Sequence, residues 1–218
     1  MEKLRILVAD DHEIVRQGVK NLIESEPDWE LCGEATTGRD AVKLVETLEP
    51  DIAIIDLSMP DLNGLEATRH IRKLGKKTKV LIFSGHETER LVREVFDAGA
   101  FAYVLKSDAG KSLITAIRTI SEGSHFFSSK VNEVIFEGFL KASAGEKNEG
   151  SDAILPTARE REIIQLLAEG CSNKEVAAKL GISLKTAETH RSSIMRKLSL
   201  GSLSDLVRYA IRNGFVEP

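Results

Sequence analysis

Apolar residues along the first 122 positions fall into two alternating patterns. Four short apolar runs, Leu4–Ala9, Asp51–Asp56, Lys79–Phe83 and Ala100–Leu105, have the length and β-branched content of strands buried on both faces, and Glu30–Ala35 is a shorter, weaker one. Between and after them lie Glu13–Ser25, Gly38–Leu48, Leu65–Leu74, Thr88–Ala98 and Ala109–Glu122, where apolar residues recur every three or four positions. That is the spacing of an amphipathic helix, plainest at Ala41, Val42, Leu44, Val45 and Leu48. Strands alternating with helices at this interval predict a parallel sheet covered by helices on both faces. A further helical stretch, Ser129–Ala142, leads out of it. Ser143–Asp152 carries Gly, Ser and charge with no large apolar anchor, which reads as a flexible linker. After Leu155-Pro156 the strand pattern stops. Helical patterns at Thr157–Glu169, Asn173–Leu180, Leu184–Leu198 and Ser202–Asn213 predict a small all-α unit.

The expected organisation is therefore two domains in 218 residues: an α/β domain over 1–124, a helical segment and linker over 125–152, and a helical domain over 153–218. Five strand–helix units match the flavodoxin-like, doubly wound order. The net charge of −4 argues against a nucleic-acid binder, but it is unevenly spread. From Asp152 onward 10 Lys/Arg stand against 8 Asp/Glu, a balance of +2, which leaves 20 against 26, or −6, in front. Cys32 and Cys171 are too far apart in sequence for a clustered zinc site or a disulfide framework. No apolar run reaches the roughly 18–20 residues of a membrane span, and Met1–Arg5 shows no signal-peptide pattern, so the cytoplasm is expected.

In open parallel sheets the functional crevice lies at the carboxyl ends of the strands. Asp10 and Asp11 close the first run, Asp56 the third, Ser84 follows the fourth and Lys106 the fifth. Three converging carboxylates repel one another unless a cation intervenes, and an all-oxygen donor set suits Mg²⁺. Asp10 and Asp56 are the expected direct ligands, with Asp11 direct or through water. Asp56 is also the candidate nucleophile for a phosphoryl group, and Lys106 offers it a compact positive charge. Capping of the first helix by Asp10-Asp11 and a strand-end role for Lys106 are the plain alternatives. A haloacid-dehalogenase-like phosphatase would need a second aspartate where Ser58 stands.

In the tail, Gly181 reads as the end of one helix and Ser183 as the N-cap of the next, the turn of a helix-turn-helix. Ala187, Ile194 and Leu198 share one side of the second helix, while Lys185, Glu188, Thr189, Ser192 and Arg196 share the other, free to enter a major groove. A merely solvated face is the alternative. Some of the stripe Leu203, Leu206, Val207 and Ala210 on the last helix must cover the domain's own core, and the rest is a candidate surface for pairing with a second copy in a twofold dimer.

Asp10-Asp11, Asp56 with Met59-Pro-Asp-Leu-Asn-Gly64, Ser84 and Tyr103-x-x-Lys106 resemble the receiver domain of two-component response regulators over residues 1–122. Leu155-Pro-Thr-Ala-Arg-Glu-Arg-Glu162, Leu166–Gly170, Ser172–Ala177, Leu180–Ser183 and Ile194–Leu198 resemble the LuxR-type helix-turn-helix domain, and the combination resembles the NarL/FixJ type. The resemblance implies that a histidine kinase phosphorylates Asp56, that the Ser58 carbonyl completes the Mg²⁺ shell, and that Ser84 and Tyr103 form a switch pair whose ring turns inward. It also implies that the helix after the fourth strand, with its successor, transmits the change, and that Lys185, Glu188, Thr189 and Ser192 face the groove. Arg191, Arg196 and Lys197 are then candidates for phosphate contacts. Phosphorylation would favour a homodimer on double-stranded DNA, and the chain would not be a turnover enzyme. Ser107 stands where receivers commonly have proline after the lysine, as in the DNA-binding subgroup. A phosphotransfer enzyme and a partner-binding signalling protein without DNA affinity are the rival readings.

Overall fold

The computed structural model describes residues 3–133 and 155–216. The expected linker 143–152 and the stretch 134–142 lie outside the described residues. The front domain runs β1 (Leu4–Ala9), α1 (Glu13–Glu24), β2 (Trp29–Ala35), α2 (Gly38–Leu48), β3 (Ile52–Ile55), α3 (Gly64–Lys73), β4 (Lys79–Ser84), α4 (Glu89–Ala98) and β5 (Ala102–Leu105). A 3-10 turn over Lys106–Asp108, α5 (Ala109–Ser121) and β6 (Phe126–Phe127) follow. The strands pair in parallel in the order β2-β1-β3-β4-β5-β6.

Alternate residues of each strand feed two cores, as the two-residue period of a strand requires. Ile6 and Val8 pack with Val19 and Ile23 of α1 and with Leu113 and Ile117 of α5. Leu7 and Ala9 pack on the opposite face with Ala41 and Val45 of α2, where α3 and α4 also lie. Both faces are dry, which is why the strands read as unbroken apolar runs.

The sheet holds six strands where the pattern predicts five. The chain leaving α5 returns along β5, with Phe126 opposite Ala102 and Phe127 opposite Tyr103. Two residues are too few to give a periodic signal. Phe127 then packs on Phe96, ring centroids 4.4 Å apart, residues 129–133 are helical and Val131 is fully buried. Residues 126–131 thus pack with this sheet, beyond the boundary expected at 124.

The tail comprises α6 (Ala158–Ala168), α7 (Asn173–Leu180), α8 (Leu184–Lys197) and α9 (Leu203–Arg212) around a core that includes Ile163, Leu166, Val176, Ile194, Leu206 and Phe215. Thr157–Glu160 and Ser172–Glu175 form capping boxes on α6 and α7, each cap being worth about 1 kcal/mol. Gly181 ends α7 at φ 63°, a left-handed geometry that glycine adopts at little cost, and Ser183 caps α8 by accepting from Thr186 N. Among the described residues no helix is long and apolar enough to cross a membrane.

The two domains touch. The α6 helix buries Ile163, Ile164, Leu166 and Leu167 in its own core while its polar side lies on the loop between β3 and α3.

Candidate functional site

The strand order reverses across β1, so the carboxyl ends of β1 and β3 lie side by side. Ala9 pairs with Ile55, and Asp56 N donates to Ala9 O at 2.8 Å. The next residue on each strand is an aspartate, and Asp10 and Asp56 are both 2% exposed. Lys106, delivered from the end of β5, places Nζ 2.9 Å from Asp10 Oδ2 and 3.0 Å from Asp56 Oδ2. Apart from these ion pairs the two oxygens have no partner. Positions 10, 56 and 106, far apart along the chain, thus meet in one charge centre.

Burial pushes the Asp56 carboxyl up to about 6, with the neighbouring Asp10 charge adding and Lys106 opposing. Burial alone would lower the Lys106 pKa, but its hydrogen bond to Asp10 and the charges of Asp56 and Asp10 outweigh that, and it is raised. Asp11 is half-exposed and lies 2.8 Å from His12 Nδ1, while His12 N donates to Asp10 Oδ1 at 2.9 Å. Neither aspartate caps α1, whose N-cap is His12. Ligating atoms of Asp10, Asp11, His12 and Asp56 lie within 4.8 Å of one another. Two buried carboxylates whose Oδ2 atoms meet only Lys106, beside a third carboxylate at the rim, fit a hard divalent cation. The position of His12 was not foreseen; only its adjacency to the aspartates hinted at it.

Ser84, at the end of β4, is fully buried and accepts from His86 N at 3.1 Å. Tyr103 is also fully buried and donates to His86 O at 2.7 Å. Burial raises the Tyr103 pKa, against the hydrogen bond with Ser84. The Ser58 hydroxyl lies 3.0 Å from His86 Nε2 across the pocket mouth, a pairing the sequence did not suggest.

The loop from Asp56 into α3 is held by two glycines with no room for a side chain. A Cβ on Gly64 would sit 2.0 Å from Asp56 O, and one on Gly38 would sit 1.9 Å from Leu62 O. Asn63 caps α3 by accepting from Glu66 N. The tail grips this loop. Gln165 Nε2 donates to Met59 O at 2.9 Å and its Oε1 accepts from Asn63 N at 2.8 Å, while Glu169 accepts from Asp61 N. Lys179 pairs with Asp61, Arg161 with Glu66 at 2.5 Å, and Glu162 with His70 at 2.9 Å. Burial would raise the Glu162 pKa, but His70, Arg159 and Arg39 around it hold it below the ordinary value. Glu162 and Gln165 are polar yet buried, their partners His70, Met59 O and Asn63 N coming from the front domain.

On α8, Lys185, Glu188, Thr189, Ser192 and Arg196 are exposed along one face, while Ala187 and Ile194 are buried on the other. Arg191 is half-buried, with Nη1 3.5 Å from Asn173 Oδ1, and Lys197 is tied to Glu160 at 2.6 Å.

A family model described as the response regulator receiver domain matches residues 6–118, and one described as bacterial regulatory proteins, luxR family, matches 156–210. The chain is 35% identical to the oxygen regulatory protein NreC of Staphylococcus carnosus, over 98% of this chain and 100% of that protein. It is 32% identical to the transcriptional regulatory protein DegU of Brevibacillus brevis, over 99% and 96%. RcsB from Salmonella enterica serovar Typhimurium superposes with a TM-score of 0.60 at 25% identity, covering 95% of this chain and 98% of that one. A receiver sheet carrying Asp10, Asp56 and Lys106 in one pocket, joined to a LuxR-type helical domain, makes this chain a member of the NarL/FixJ-type two-component response regulators, a family of transcription regulators.

Proposed function

We propose that Asp56 takes a phosphoryl group from a sensor histidine kinase and that this changes how the tail meets double-stranded DNA. One observation carries the reading: a carboxylate 2% exposed, 3.0 Å from an ammonium and beside a second buried aspartate, at the end of a central strand. With its pKa raised to about 6 by burial, still below neutral pH, Asp56 offers a carboxylate oxygen for in-line attack on phosphorus. The phosphorus–nitrogen bond of the donor histidine breaks as the phosphorus–oxygen bond to Asp56 forms, and the imidazole keeps the electron pair. Lys106 then turns from a bridge between two carboxylates into a partner for a phosphoryl oxygen. Ser84 supplies a hydroxyl to another, and Tyr103 fills the space beside it.

Asp10, Asp56, Asp11 directly or through water, and the Ser58 carbonyl would hold Mg²⁺, which neutralises charge on the phosphoryl oxygens. The receiver assists its own phosphorylation and dephosphorylation through these same groups and turns over no other substrate. A docking face for the kinase is offered by α1, where Ile14 is 88% exposed and Val15, Gly18 and Leu22 line a groove with Leu113. Both partners, kinase and chromosome, place the chain in the cytoplasm.

RcsB is solved bound to promoter DNA in the presence of the phosphomimetic BeF₃⁻. By that likeness Lys185, Glu188, Thr189 and Ser192 face base edges. Arg196, and Arg191 and Lys197 once released from Asn173 and Glu160, neutralise phosphates. Arg196→Ala is expected to reduce the slope of log K against log salt by about 0.9, weakening all duplexes alike. Lys185→Ala should instead cost about 1–3 kcal/mol on a preferred site and little elsewhere. Fluorescence anisotropy across a salt series checks both. Slopes and affinities unchanged in the two variants would remove α8 from the interface.

A further inference from the structure

Resting on that reading, we infer that the receiver itself grips DNA: the basic end of α3 and the turn after it hold phosphates beside the groove that α8 enters. Between Arg69 and Lys79 the chain carries six Lys/Arg and no acid. Of the 20 Lys/Arg that precede Asp152 these six leave 14, against 26 Asp/Glu, so the cations are gathered here against the sign of the domain around them. The last turn of a helix favours cations, which accounts for Arg72 and Lys73. It does not account for Lys76, Lys77 and Lys79, which lie past Gly75 and outside the helix.

These charges are available to a ligand. Arg72, Lys73, Lys76 and Lys77 are all exposed. Arg72 spends one donor on Asp97 O at 2.9 Å, and Lys76 pairs at 2.5 Å with Glu49, whose side chain is 61% exposed. Exposed pairs of that kind contribute little, so Lys76 exchanges Glu49 for a phosphate at small cost. Among the described residues Lys73 and Lys77 have no hydrogen bond or ion pair. Arg72 and Lys76 line one cleft of about 330 Å³, which puts cations from both sides of Gly75 on a common face.

The tail sets the occupant. Gln165 meets Asn63, and Glu162 meets His70 at 2.9 Å, so α6 runs antiparallel to α3 and the later residues of α3 lie toward the start of α6. Lys73 stands one turn past His70 on that same side. At the start of α6, Glu160 holds Lys197, the last residue of α8, at 2.6 Å, beside the exposed Arg196. The basic run and the phosphate-contact end of α8 therefore flank one helix terminus, about one helix diameter apart, roughly 10–12 Å. A major groove is about 12 Å wide, so phosphates on the flank beyond Arg196 come under Lys73 and its neighbours. Duplex DNA carries one charge per about 1.7 Å of axis, while the chain as a whole stands at −4. A protein of that sign holds DNA through local clusters of cations, and α8 already ties Arg191 to Asn173 and Lys197 to Glu160. The run fits the polyanion that the reading above lays along the neighbouring helix.

The test is a salt series of fluorescence anisotropy with the full unphosphorylated chain on a labelled random duplex of roughly 30 base pairs, which needs no preferred site. Lys73→Gln with Lys77→Gln is expected to lower the slope of log K against log salt by about 1.8, two phosphates at about 0.9 each. Adding Arg196→Ala is expected to lower it by about 0.9 more, because all three cations meet one duplex. Lys73→Arg with Lys77→Arg is expected to keep the wild-type slope, which separates lost charge from lost fold. A slope unchanged in the glutamine variant but lowered by Arg196→Ala overturns the inference and leaves the DNA reading standing; the run then serves an acidic protein or water alone. Losses that fail to add put the run on a separate site and overturn it too, as does an arginine variant as weak as the glutamine one. Slopes unaffected by every variant overturn the DNA reading as well.

Discussion

Asp56→Asn is expected to cut phosphoryl uptake from acetyl phosphate by about a hundredfold or more, the order of loss seen when a reacting group is removed. An amide in place of the carboxylate keeps the shape and loses the nucleophile. Neither neighbour substitutes for it: Asp10 is buried and committed to Lys106 and His12 N, and Asp11 points to the rim beside His12. Mass spectrometry of the intact chain counts phosphoryl groups directly. Equal uptake by wild type and variant would show that another residue is the acceptor. The same substitution has a second signature. A carboxyl held at about 6 in the fold, against an ordinary value near 3.8, binds its proton more tightly folded than unfolded. Its stabilising contribution is complete below pH 4 and is lost as pH rises through about 6. The variant should therefore exceed wild type in stability at pH 7 by about 1–3 kcal/mol, less what Lys106 loses, with the gap closing near pH 4. Urea melts at the two pH values read this. Excess Mg²⁺ should narrow the pH 7 gap by stabilising wild type alone, and a gap independent of both pH and Mg²⁺ would contradict the electrostatics described above.

Gly64→Ala is expected to destabilise the chain by about 3 kcal/mol or more, at the upper end of what overpacking costs. The added methyl would stand 2.0 Å from Asp56 O and 3.0 Å from Leu57 Cα, both backbone atoms that cannot rotate aside. Either the loop moves or the start of α3 does, and both carry Asp56 away from Lys106, so phosphoryl uptake should fall with stability. Gly18→Ala is the control. Nothing lies within 4 Å of its Cβ, on an exposed turn of α1, and it should gain about 0.5–1 kcal/mol. Urea melts of the two variants give the comparison. A Gly64→Ala chain as stable as wild type would mean that the loop has slack, and the coupling of Asp56 to Gln165 through it would lose its basis.

Much of the pocket was legible in the sequence because parallel strands buried on both faces are written as continuous apolar runs. The polar residue ending each run is then conspicuous, and Asp10, Asp56, Ser84 and Lys106 were found that way. What the runs do not encode is contact between elements far apart in sequence. The second strand of the β5 edge, Phe126–Phe127, is too short for any period to show. Glu162 and Gln165 look like the wet side of an amphipathic helix, and their burial depends on where the other domain sits. Arg191 and Lys197 fall at plausible phosphate-contact positions, yet side-chain reach lets Asn173 and Glu160 engage them first. Tyr103 lies inside, its hydroxyl donating to the His86 carbonyl, a contact between two positions that no run of apolar residues encodes.

The measurement that tests the central claim most directly is a titration of long genomic fragments with the full chain, before and after acetyl phosphate and Mg²⁺, alongside Asp56→Asn. Phosphorylated wild type is expected to bind about tenfold or more tightly than untreated protein, with the treated variant staying at the untreated value. Identical curves for treated wild type, untreated wild type and the variant, in a sample shown by mass to carry the phosphoryl group, would contradict the account.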